Sequence, residues 1–382
     1  MTEPSPRLIE MVSQLIATPS ISCVRHELDM SNEPVIDLLA NWLHSSGFKI
    51  TKQPVSAGKF NLIATLGQGS DGLILSGHTD TVPCDDILWK SDPFKLTQRD
   101  DRYYGLGSCD MKSFIAMAIS ASQSFRPDQF RHPLTIIATA DEETTMSGAR
   151  LISEEGRHLG RYCIIGEPTN LTPVREHKGI IMESVKFTGS SGHSSDPELG
   201  NSALEAMHEF INLLLNYRQQ LQQQFKNTAF KVSVPTLNLG HIHGGDNPNR
   251  ICGECELHID LRFLPGMSID ELRVQIQALA DRVARSRNQK VEFMPLVMGI
   301  PAMHTDINSE LNTYLQEVTQ KQSQSVAFGT EAPFYNAMGC ETIVMGPGSI
   351  NQAHQPDEFL PIDQILPTIK LLENLIQRFC CT

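Results

Sequence analysis

Four apolar, β-branched runs in this chain each give way to a group that can bind a metal, and that recurrence limits the folds open to it. Residues 73–76 run into Gly77-His78-Thr79-Asp80, and residues 134–140 run into Asp141-Glu142-Glu143. Residues 162–166 end at Glu167, and residues 342–345 pass through Gly346-Pro347-Gly348 towards His354. Short apolar runs of this kind are buried strands, and an open α/β sheet presents the carboxyl ends of its strands to a crevice where ligands bind. The pattern therefore predicts acids and imidazoles converging on one sheet edge. Carboxylates gathered there without lysine or arginine partners repel one another and are costly to desolvate, so the arrangement calls for a cation.

Strands and helices alternate from about residue 60 to Glu167 and again after about residue 298, which predicts an α/β fold: a mainly parallel sheet with helices on both faces. Two amphipathic helices precede this pattern and a helix over 365–379 closes it. In between, the crossover rhythm is lost. Strands over 180–187, 232–239 and 251–263, with long helices over 202–225 and 268–286, predict a smaller α+β domain inserted into the first. The expected division is 1–178 with 298–382, and 179–297.

A net charge of −13 over 382 residues argues against nucleic acid or an anionic membrane as partner. No apolar run reaches the roughly 18 residues of a membrane span, and the polar start lacks the pattern of a secretory signal. Nine scattered cysteines, an odd number, suit a reduced cytoplasm. The one CxxC, Cys252-Gly253-Glu254-Cys255, lies where apolar and polar residues alternate as in a half-buried strand. A separation of three puts its thiols on opposite faces, so it reads as structural rather than as a zinc or redox site. Gly105-Leu106-Gly107 lacks the third glycine and the preceding strand of a dinucleotide site. Gly189-Ser190-Ser191-Gly192-His193 does not fit the Gly-x-Ser-x-Gly nucleophile turn.

The candidate ligands are His78, Asp110, Glu143, Glu167 and His354. Nitrogen and oxygen donors without thiolate suit zinc, with cobalt or manganese able to substitute. Five are too many for one catalytic zinc with an open position, but they suffice for two ions sharing a bridging carboxylate. Such a pair activates water and polarises a carbonyl, as amide hydrolysis at neutral pH requires. Glu142, beside a ligand but pointing differently, is then the general base. Asp80 is expected to hold the imidazole of His78.

These residues resemble those of the dizinc aminoacylase and carboxypeptidase family over nearly the whole chain. The likeness rests on Ser76-Gly77-His78-Thr79-Asp80-Thr81-Val82-Pro83, the stretch 104–112, Ala138-Thr139-Ala140-Asp141-Glu142-Glu143-Thr144, Ile165-Gly166-Glu167-Pro168-Thr169, and 348–358. It implies Asp110 as the bridge, one ion adding His78 and Glu167 and the other Glu143 and His354, so two Zn2+ per chain, with Co2+ able to replace them. It also implies a homodimer through the inserted domain, in which His193 stabilises the oxyanion at a neighbouring subunit's site. Arg250, with Asn249 in the same substrate-binding segment, is implied to grip an α-carboxylate. The run 348–358 is similar to one branch of the family, which implies removal of the acetyl group from N2-acetyl-L-ornithine in arginine biosynthesis; a related desuccinylation of N-succinyl-diaminopimelate is the rival. Ser113 stands where the family usually has glycine, a change that removes no ligand.

Overall fold

The computed structural model describes residues 4–382, so residues 1–3 of the polar start lie outside the described residues. The chain forms two compact units. The first comprises the chain up to Arg175 with Thr305–Gln324 and Thr330–Thr382, and the second comprises Glu176–His304 with Ser325–Gly329.

In the first unit, six strands lie side by side in the order Lys49–Ser56, Lys59–Leu66, Leu134–Thr139, Leu73–His78, Tyr162–Pro168 and Glu341–Gly346. The last four are parallel to one another, whereas the first two pair antiparallel at the flank. The sheet is thus parallel at its centre and mixed overall. Registers decide what shares its edge. Pairing of His78 with Thr139 and of Ser76 with Ile165 brings the ends of three strands level, so that His78, the acids after Thr139 and Glu167 emerge together.

Both faces of the sheet are covered, and successive residues of one strand show it. Ser76 Oγ lies 2.6 Å from the hydroxyl of Tyr335, in the short helix Ala332–Ala337. The next residue, Gly77, faces the other way, where an added β-carbon would lie 2.7 Å from Met111 and 3.2 Å from Ile115. The helix Lys112–Ser122 on that face is Ala- and Ile-rich and almost wholly buried, because it packs against the sheet and against the helices Pro6–Ile16 and Ile365–Cys380. Its Phe114 ring sits so near Gly166 that a β-carbon there would fall 2.0 Å from Phe114 Cγ. Only glycine allows that approach.

The second unit has its own apolar core. Its four-stranded sheet runs Thr236–Gly244, Glu254–Phe263, Gly179–Thr188 and Lys290–Pro295, every pair antiparallel. Cys255, Leu257, Ile259, Leu261 and Phe263 alternate inward beneath the helices Ala203–Gln224 and Ile269–Ser286, meeting Phe210, Leu272 and Ile276. Ser202 and Ser268 cap those helices, each accepting a backbone N–H from the third residue on. The strand expected over 232–239 instead begins at Thr236, after Pro235, which has no N–H to give a ladder. All nine cysteines are free thiols, and Cys252 donates to the Glu254 carbonyl at 3.0 Å. Among the described residues no helix is long and apolar enough to cross a membrane.

Candidate metal centre

The strand ends and two loops of the first unit bring His78, Asp110, Glu142, Glu143, Glu167 and His354 together. Asp110 lies where the loop after Tyr104 enters the helix Lys112–Ser122, and its peptide bond to Met111 is cis. One of its oxygens lies 3.1 Å from His78 Nε2, which in turn is 3.9 Å from Glu167 Oε1. The other lies 3.7 Å from His354 Nε2, which meets Glu143 Oε2 at 2.9 Å. Two triads, His78, Asp110, Glu167 and Asp110, Glu143, His354, therefore share one carboxylate, each with its ligand atoms within 4.8 Å of one another. A third group of the same span joins Glu142 and Glu143 to His78. His78, Asp110 and Glu167 are buried, while His354 is exposed and sits in the left-handed region at φ +58°.

The electrostatics fit a cation. Burial, reinforced by neighbouring carboxylates, pushes Glu142 and Glu167 well above the usual carboxylate range and raises Glu143. His78 is held well above its ordinary value despite burial, chiefly by its hydrogen bond to Asp110, and that bond together with the charge of His78 holds Asp110 down. Four acids thus compete for two imidazoles. Their oxygen and nitrogen donors match the ligand preferences of zinc and similar divalent ions.

Asp80 holds the imidazole of His78 mainly through its backbone rather than its carboxylate. His78 Nδ1 hydrogen-bonds to the backbone carbonyl of Asp80 at 2.9 Å, and the nearer carboxylate oxygen is 3.7 Å away. The buried Asp80 carboxylate instead accepts the backbone N–H groups of Glu142 at 3.2 Å and Glu143 at 3.1 Å. Carbonyl and carboxylate of Asp80 thus serve two neighbouring strands, a division that strand periodicity cannot reveal.

Glu358 closes the stretch 348–358, and nothing in the sequence alone gives it a role. Buried, it accepts the N–H groups of Gly107 at 3.0 Å, Cys109 at 2.7 Å and Asp110 at 2.9 Å, which ties the loop of Asp110 to that of His354. Its signal was an acid four residues after a candidate ligand. Lys112 is also buried and donates to the carbonyls of Leu15 at 3.2 Å and Thr18 at 2.9 Å, and burial pulls its pKa down to about 7. Glu331, fully buried at the start of Ala332–Ala337, is pushed up to about 7 by burial.

His193, Asn249 and Arg250 lie together in the second unit. His193 and Arg250 form an isolated antiparallel bridge, and Ser194 donates its N–H to the Asn249 carbonyl at 3.0 Å. His193 Nδ1 is 2.7 Å from the Ser195 hydroxyl, and the exposed Arg250 guanidinium pairs with Asp246 at 2.6 Å.

Comparison with known proteins places the chain among relatives of known family and fold. An acetylornithine deacetylase from Proteus mirabilis is 47% identical over 377 residues, spanning 98% of this chain and 97% of its own. Among solved structures, aminopeptidase PepT from Bacillus cereus superposes with a TM-score of 0.77 at 18% identity, covering 99% of each chain. A dinuclear metal binding peptidase of the M20 family from Bacillus subtilis gives 0.67 at 15% identity, covering 98% of each. The profile of Peptidase family M20/M25/M40 matches residues 74–378, so with its paired donor triads the chain belongs to that family.

Proposed function

We propose that this chain is a metal-dependent amidohydrolase that converts N2-acetyl-L-ornithine and water to L-ornithine and acetate, a step in forming arginine in the cytoplasm. The observation that carries the chemistry is the position of Asp110, one oxygen towards His78 and Glu167 and the other towards Glu143 and His354. The choice of substrate is supported by the near full-length likeness to a named deacetylase. His78, Asp110 and Glu167 would hold one Zn2+, and Asp110, Glu143 and His354 a second, with Co2+ able to substitute. When bound, such ions supply a water of lowered pKa and polarise the scissile carbonyl.

The chain's own groups do the rest. Glu142, held at its backbone by Asp80, takes the proton of the attacking water and returns it to the departing amine. Arg250, in a segment with Asn249, binds the substrate α-carboxylate as a planar fork. Residues 1–178 and 298–382 form the catalytic domain in this scheme, and 179–297 pair two chains so that His193 of each serves the oxyanion of the other. The test is a comparison of turnover by the zinc-loaded protein on N2-acetyl-L-ornithine and on N-succinyl-diaminopimelate. Faster turnover of the succinyl compound would replace the acetylornithine reading.

A further inference from the structure

The acids that follow Thr139 need a particular backbone course, and the structure shows what imposes it. Asp141 occupies the left-handed region at φ +57°, uncommon for a residue with a side chain. Its carbonyl accepts the N–H groups of Thr145 at 3.1 Å and Met146 at 2.7 Å, so the chain folds back immediately after Glu142 and Glu143. A conformation of this kind persists only where its surroundings over-determine it.

The neighbouring strand supplies that determination. Continuing the antiparallel register in which Leu62 faces Ala138 places Lys59 opposite Asp141, just beyond the last ladder pair. Lys59 is 4% exposed, and its ammonium lies 3.0 Å from Asp141 Oδ1 and 2.7 Å from Asp29 Oδ1. Burial pulls its pKa down, but the two aspartates outweigh this and leave it raised, so the side chain is a fixed cation. Ser22 Oγ donates to the same oxygen of Asp141 at 2.9 Å, and Ser147 Oγ reaches the other at 3.4 Å. Two residues along, Asn61 accepts the N–H of Ala140 at 3.0 Å. Asp80 meanwhile holds the next two amides.

We propose that Lys59 is a positioning residue for Glu142 and Glu143, acting through the side chain of Asp141. With Asp141 anchored by its carboxylate and the following amides anchored by Asp80, the peptide between Asp141 and Glu142 is fixed from both sides. That fixes where the two glutamates point. Without Lys59, Asp141 loses its charged anchor and can leave the left-handed region, which rotates that peptide and swings both side chains. Asp29 is the internal control: it shares the lysine and accepts the Cys23 N–H at 3.0 Å, and among the described residues it has no hydrogen bond to Asp141 or to a proposed ligand.

The inference rests on Glu142 as base and Glu143 as ligand, and its test begins without substrate. Zn2+ affinity of the metal-free full-length protein is measured by calorimetry for wild type, Lys59→Gln, Lys59→Arg and Asp29→Asn, alongside thermal melting, kcat and KM. Lys59→Gln should weaken the poorer Zn2+ site and lower kcat, each by roughly 10–100-fold, the usual effect of removing a group that orients ligands, with KM within about threefold. Lys59→Arg should recover most of both. Asp29→Asn should keep both within about threefold of wild type while melting earlier, as Lys59→Gln does. Should Lys59→Gln not fold, Ser22→Ala removes another anchor of Asp141 and must weaken Zn2+ binding. Wild-type affinity in Lys59→Gln, or in Ser22→Ala if that variant stands in, or equal losses in Asp29→Asn, would overturn the proposal and leave Lys59 a stabilising residue. A wild-type chain that binds two Zn2+ but leaves N2-acetyl-L-ornithine intact defeats the substrate assignment alone, and the affinity comparison still decides the role of Lys59.

Discussion

Replacing Glu142 by glutamine changes one atom and separates proton transfer from metal binding. The amide keeps the shape of the side chain and leaves untouched both triads that share Asp110, since Glu142 belongs to neither. It cannot take a proton from water. A positioned base contributes about 10²–10⁴ in rate, or roughly 3–5 kcal/mol at 1.36 kcal/mol per decade, so kcat should fall by that factor with two ions still bound. A second consequence concerns the metal-free protein. Burial, then the charges of Glu167 and Glu143, raise the pKa of Glu142 in the folded state above its unfolded value of about 4.3. The native state then binds more protons than the unfolded one, and stability falls as pH rises from the unfolded pKa towards the folded one. Each unit of elevation is worth about 1.4 kcal/mol, all of which the glutamine variant escapes. The assay is steady-state kinetics and elemental analysis of the loaded protein, with urea unfolding in EDTA at pH 5 and pH 8. Wild-type kcat in Glu142→Gln would remove it as the base, and loss of an ion would make it a ligand.

Asp110→Ala should abolish high-affinity binding of both ions, whereas His354→Ala should cost one, because only Asp110 lies in both triads; one ion retained by Asp110→Ala at wild-type affinity, measured by calorimetry, would refute the bridge. Tyr335→Phe orphans the buried Ser76 hydroxyl and should lower stability by about 1–3 kcal/mol in urea unfolding, with kcat little changed. Mixing inactive His193→Ala chains with inactive Glu142→Ala chains should restore about a quarter of wild-type activity if subunits exchange, since about half the dimers are hybrids with one complete site. No recovery despite demonstrated exchange would assign His193 to its own chain's site or to structure.

The strand ends were legible because burial on both faces leaves an unbroken apolar run, and the first acid or imidazole after such a run marks its exit into the crevice. His78 and Glu167 declared themselves that way, while Glu143 is the third of three acids that follow its run. Lys49–Ser56 and Lys290–Pro295 did not, since flank strands with mostly exposed residues carry no apolar period to detect. Ser325–Gly329 groups with the second unit by a brief return of the chain that no composition shift announces. The carboxylate of Asp80, the clasp of Glu358 and the pairing of Lys59 with Asp141 were invisible for a different reason. Each depends on which backbone amide or strand lies opposite, and that follows from registers between segments far apart in the sequence.

The near-contact of Phe114 with Gly166 bears on portability. Glu167 stands at its height above the sheet because the strand beneath it is pressed against an aromatic ring, with no room for a single carbon between them. A designer who grafted the five donor residues onto another parallel sheet, keeping sequence spacing but leaving an alanine at the equivalent of Gly166, would lift that strand off its helix. Glu167 would rise with it. The smallest transplantable unit is therefore the donors together with the glycine and the ring that set their level.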